Sequence, residues 1–171
     1  MIPHSGLLKV TTKGEREIVM TRVFDAPRQL LFDALTKPDL VRRWLLGPDG
    51  WTMPVCEIDL RVGGAYRYVW EKAGSGERMG MRGVYKDIAI PARIVSTERF
   101  DEPWYPGDAL GMIVLTENNG KTKLVQTVAY QSAEARAMVL KTPMADGVSA
   151  GYDRLAALLA EMAKGGADKK R

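Results

Sequence analysis

The chain has 171 residues, of which 46% are hydrophobic and 27% charged, with a formal net charge of +4 at pH 7. A domain of that length buries roughly 70% of its unfolded-chain surface, so it can hold a core and still enclose a cavity. Most of the net charge sits in the tail Lys164–Arg171, which leaves the body without the basic stripe of a nucleic-acid-binding face, and no apolar stretch reaches the ~18 residues of a bilayer span.

The N-terminal residues MIPHSGLLKV lack an apolar h-region, so no secretory signal is read and a cytoplasmic location is expected. Cys56 is the only cysteine, which rules out an intrachain disulfide and suits a reducing compartment. His4 is the only histidine and is expected in a frayed terminus, so a Cys/His zinc site is excluded and a serine–histidine triad would have to rely on His4. No metal and no cofactor are expected, and any catalysis would fall to carboxylates, Arg, Lys, Tyr or Ser.

Residues 1–14 are read as a flexible leading segment. EIVMTRVF (17–24) is rich in β-branched residues and reads as a strand. DAPRQLLFDALTKP then reads as a helix, with Asp25 as cap, Pro27 in the first turn, and Leu30, Leu31, Ala34 and Leu35 at helical spacing. Pro38 ends it and opens a second short helix, 39–45, stopped by the turn GPDG. Six strand-like runs follow: Pro54–Leu60, Ala65–Glu71, Met79–Ile88, Arg93–Phe100, Met112–Glu117 and Lys121–Tyr130, the last two flanking the hairpin signal NNG. They predict an antiparallel meander. Ser132–Lys141 reads as a short helix or an irregular crossing. From an Asp146 cap, Val148, Tyr152, Leu155, Leu159 and Met162 form one apolar stripe of a long helix that Gly165-Gly166 would end, followed by a disordered basic tail, 164–171. A long helix laid over a twisted, curling sheet need not meet it everywhere, and the gap is the natural ligand site.

VFDAP (23–27), LVRRWLLGPDGWT (41–52), DLRVGGAYRY (59–68), GVYKDI (83–88) and PARIVSTERFD (92–101) resemble, in order, motifs of the Activator of Hsp90 ATPase homologue 1-like family, within the START-related helix-grip superfamily. The resemblance covers roughly residues 15–163. It implies an α+β helix-grip fold (START-like, Bet v 1-like), a curved antiparallel sheet around a long C-terminal helix, with two short helices after the first strand. It also implies a cavity between sheet and helix. Relatives in the superfamily bind lipids, steroids, polyketides or plant hormones, and some are cyclases or aromatases, so a small apolar molecule is the expected partner. The family name brings in an Hsp90-type partner and a stress-response or chaperone-associated interaction role as the alternative. A cyclase- or hydrolase-like enzyme on a polyketide-like or aromatic substrate is the third reading. No membrane insertion is expected, and a homodimer is left open.

The ligand-binding candidates follow from strand parity and aromatic placement. Trp44 either anchors its helix or touches a ligand; Trp51, outside the helix, suits a rim. Tyr66, Tyr68 and Trp70 share one strand face, which either lines the cavity or forms an exposed stripe. Met81, Met112 and Met138 could line an adaptable cavity or simply fill the core. Arg82 and Glu98 are strand polar residues that could pair inside or lie solvated outside. Glu98 is the one candidate for acid–base work, because a carboxylate in an apolar cavity has a raised pKa. Trp104, in the loop DEPWYPGD, suits a lid, and Tyr152 faces the sheet from the long helix. Gly63-Gly64 read as turn geometry, since no helix N-terminus follows to cradle a phosphate.

Overall fold

Alternation in residues 17–24 builds the first long strand: in the computed structural model, which describes residues 7–169 (side chains of residues 7–165), Glu17–Phe24 (β2) buries Ile18, Met20, Arg22 and Phe24 on one face. His4 and the tail residues Lys170 and Arg171 lie outside the described residues. Residues 9–13, expected in the flexible leading segment, instead form the edge strand Lys9–Lys13 (β1), which pairs back on β2 through a turn at Gly14 (φ +57°). Its two lysines suit an edge that must not recruit another chain.

Two short helices follow, Arg28–Thr36 (α1) and Pro38–Trp44 (α2). Asp25 does not cap α1; the Arg28 N–H donates to the Glu117 carboxylate, 2.7 Å away and 89 residues later in the chain. An anion at a helix N-terminus is favourable whatever its sequence distance. Six strands then run in order: Trp51–Ile58 (β3), Ala65–Lys72 (β4), Arg78–Ala89 (β5), Arg93–Phe100 (β6), Ala109–Asn118 (β7) and Lys121–Ala129 (β8). All pairs are antiparallel, and β2 closes on β8 to give one eight-stranded sheet of order β1-β2-β8-β7-β6-β5-β4-β3. Pro54 is tolerated because β3 is the other edge and the register shifts there, between Thr52 and Val55. A second shift, between Tyr85 and Asp87, bends β5 against β6.

Ser132 caps Ala133–Leu140 (α3) by accepting from the Ala135 N–H at 3.0 Å. The last helix, Met144–Lys169 (α4), starts two residues before the expected Asp146 cap and runs through Gly165-Gly166 instead of ending there, so the tail expected to be disordered is helical as far as Lys169. Tyr152, Leu155, Leu158 and Leu159 of α4 pack on Phe24, Leu31, Leu35, Val41, Trp44 and Leu124. A smaller cluster of Ile18, Met20, Val128, Ala135 and Val139 sits under α3. This is the α+β helix-grip arrangement. No helix among the described residues is long and apolar enough to cross a membrane.

Candidate functional site: an aromatic cavity with one carboxylate

Between the concave face of the sheet and α4 lies a cavity of about 490 Å³. Alternation explains its wall. On β4 the even positions Tyr66, Tyr68 and Trp70 point in; on β5 Met79, Met81 and Tyr85; on β6 Ile94, Ser96, Glu98 and Phe100; on β8 and just beyond it Gln126, Val128 and Tyr130. Trp44, Trp51, Trp104 and Tyr105 come from the helices and loops, and Val148, Gly151 and Tyr152 from α4. Every one of the four tryptophans and six tyrosines of the chain borders this space.

Several rings are held by their polar handles, as buried Tyr and Trp require. Trp44 Nε1 donates to the Ala34 carbonyl at 2.8 Å, Trp70 Nε1 to the Leu45 carbonyl at 2.7 Å, Tyr66 Oη to the Thr97 carbonyl at 2.7 Å and Tyr152 Oη to Gln126 Oε1 at 2.8 Å. Trp44 thus does two things the sequence offered as alternatives: it anchors α2 and borders the cavity. Tyr66 reaches Thr97 by lying across Gly83 of β5, where an added Cβ would stand 1.9 Å from the Thr97 oxygen and 2.5 Å from the Tyr66 ring. Rings also stack through the wall, Tyr66 with Tyr68 at 4.9 Å and Tyr68 with Trp70 at 5.9 Å between centroids.

Glu98 is the only charged side chain in this wall among the described residues. Glu98 borders the cavity, and burial pushes its carboxyl up to about 7. No hydrogen bond or ion pair from a described residue reaches that carboxylate. One of its oxygens would stand 3.0 Å from a Cβ at Gly111 of β7, so the missing side chain there makes its room. Burial first, and the Glu98 charge second, hold the Tyr66, Tyr105, Tyr130 and Tyr152 hydroxyls above their usual range; Tyr68 is raised as well, by burial first with Tyr85 and Glu98 among the added causes.

Of the sequence candidates, Trp44, Trp51, Tyr66, Tyr68, Trp70, Met81, Glu98, Trp104 and Tyr152 come together here. Three do not. Arg82 lies on the outer face beside Arg67 and Arg99, 3.6 Å from Asp101, so the inward Arg–Glu pair does not form. Met112 stands outward on β7, 38% exposed, because Ile113 takes the inward position. Met138 is 44% exposed on α3, where its neighbour Val139 faces in. Sequence reading passed over Tyr85, Phe100, Tyr130 and Gln126. Parity from Met81, Glu98 and Val128 would have found them, once one inward residue on each strand was known.

Residues 45–48 border the cavity, and Arg154 ties this segment to α4: its guanidinium donates to the Gly47 carbonyl at 2.7 Å and to Asp49 Oδ1 at 2.8 Å. Gly147 and Gly151 of α4 face this segment: a Cβ at Gly147 would lie 3.9 Å from Pro48 Cδ and one at Gly151 3.4 Å from the Trp44 carbonyl, both ordinary contacts. On the opposite flank of α4, Arg22 of β2, 4% exposed, pairs at 2.9 Å with Asp153 and lies 5.0 Å over the Phe24 ring.

Fold and cavity together define a helix-grip protein with a ring-lined interior. The chain belongs to the family of Activator of Hsp90 ATPase homolog 1-like proteins, whose model matches residues 25–160. It is similar to a Rhodobacter sphaeroides protein of known crystal structure, 30% identical over 90% of this chain and 98% of that one, TM-score 0.85. A Mycobacterium smegmatis protein matches at 22% identity over 90% and 97% of the two chains, TM-score 0.79. An Hsp90 activator from Plasmodium falciparum matches at 21% over 71% and 78%, TM-score 0.53. The last two likenesses are of fold alone. No curated protein matches the chain.

Proposed function

We propose that the chain binds a small, largely apolar molecule in the cavity between the sheet and α4. The observation that carries this reading is the wall itself: about 490 Å³ bordered by every tryptophan and tyrosine in the chain. That volume lies within the usual range of ligand sites, which are mostly apolar with a few placed polar groups.

The test is melting temperature and tryptophan emission against a panel of fatty acids, steroids, flavonoids and polyketides. A ligand at 100 times its Kd stabilises the native state by about 2.7 kcal/mol, a rise of about 5–10 °C for a domain of this size. The expected result is a saturable rise in both signals for one chemical class, abolished by Val148→Trp, which fills the cavity from α4. A flat response across the panel refutes the reading.

A second reading draws on the family and on the exposed Leu110 and Met112 of the outer sheet face: a chaperone-associated interaction module with an Hsp90-type partner. It expects the ATPase rate of purified Hsp90 to change when the chain is added, and an unchanged rate ends it.

A further inference from the structure

We infer that the cavity selects a lipophilic amine: a ring-sized apolar body carrying one protonated nitrogen that pairs with Glu98. The inference rests on the proposed binding function and names the chemical class of its ligand.

Three observations carry it. The wall holds one charged side chain and it is acidic; no Lys, Arg or His borders the space among the described residues. That carboxylate has no hydrogen-bond or ion-pair partner among the described residues, so a cation that pairs with it comes from what enters. The wall around it is aromatic, and aromatic rings offer a cation their π-faces. A ligand ammonium would therefore meet a charge-assisted hydrogen bond and ring faces in a site of low dielectric. Above about pH 7, where Glu98 is an anion, a ligand carboxylate would place a second negative charge beside it with no cation in the wall to offset it, which disfavours acids by repulsion. A neutral alcohol gains the apolar contacts and one ordinary hydrogen bond.

The pairing predicts a pH dependence. Facing Glu98 are Tyr66 and Tyr68 of β4, Tyr105 of the loop after β6, Tyr130 after β8 and Tyr152 of α4, all raised above the usual tyrosine range. Gly111 of β7 and Ser96 of β6 do not titrate. Arg22 of β2, which acts on Tyr152, is already taken up by Asp153. Glu98 is thus the group in this set that ionises near neutrality. A simple primary amine stays protonated to well above pH 8, so its affinity rises with pH as Glu98 becomes an anion.

The experiment compares three probes of one shape on the full chain by titration calorimetry: 2-(2-naphthyl)ethylamine, 2-(2-naphthyl)ethanol and 2-naphthylacetic acid. The expected order at pH 8 is amine tightest by at least about tenfold over the alcohol, with the acid weakest. Between about pH 6 and pH 8 the amine tightens severalfold, whereas the alcohol does not. In Glu98→Gln, close in shape and free of charge, the amine loses its advantage over the alcohol and its pH dependence. Equal binding of amine and alcohol, or an amine preference that survives in Glu98→Gln, overturns the inference and leaves the cavity reading standing. Binding of none of the three, with no change in melting temperature, overturns both.

Discussion

Glu98 shows how one side chain can couple a cavity to pH. Its carboxyl is held at about 7 by desolvation, against an ordinary value of 4.5. The native state therefore keeps a proton that the unfolded chain has released. Stability is fully present below about 4.5, falls as pH rises towards 7, and is level above that. Glu98→Gln removes the titration. We expect the variant to match the parent at pH 4 and to be more stable at pH 8 by about 1–3 kcal/mol, read from denaturant midpoints. Parallel pH profiles for the two proteins would refute this. That Glu98 is a strand residue, on the same face as Ile94, Ser96 and Phe100, is legible from alternation alone. That this face is the inner one is not, because a one-residue change of register exchanges the two faces while local sequence stays the same. The same ambiguity misplaced Arg82 and Met112, which alternate as cleanly as their inward neighbours.

Among the elements, α4 and the segment 45–50 carry the consequences. The stripe Val148, Tyr152, Leu155, Leu159 and Met162 specifies both that a long helix exists and which side it buries. Its start at Met144 and its passage through Gly165-Gly166 are set by context, since glycine costs a helix only about 1 kcal/mol. Likewise the α1 cap comes from Glu117, a partner no local motif could announce. Arg154 is the tie between α4 and this segment at Gly47 and Asp49. Asp49 is fully exposed, so the ion pair itself adds little stability; the bond to the Gly47 carbonyl is what holds the segment. Arg154→Ala is expected to lower global stability by about 1 kcal/mol or less while amide exchange in residues 45–50 speeds up severalfold. Unchanged exchange there would show that Trp44 and the Trp70–Leu45 bond hold the segment without Arg154.

At the scale of the whole molecule, the sheet closes because β2 returns to pair with β8 across nearly the full chain, and it curls around α4 with register shifts in β3 and β5. The helix roofs a face whose rings would otherwise meet water. A chain ending at Pro143 is therefore expected to lose cooperative melting and to bind hydrophobic dyes, and a sharp melting transition in that truncation would show that the sheet stands alone. The sequence by itself determined the order of elements from β2 onward, the antiparallel meander, the amphipathic last helix and the family, because these depend on local periodicity, turn chemistry and short ordered motifs. Only the tertiary structure decided which sheet face is concave, that the scattered tryptophans and tyrosines share one cavity, and that Glu98 stands in it without a partner among the described residues. The physical reason is that alternation specifies two faces equally well, and only the packing of α4, α1 and α2 against one of them makes it the inside.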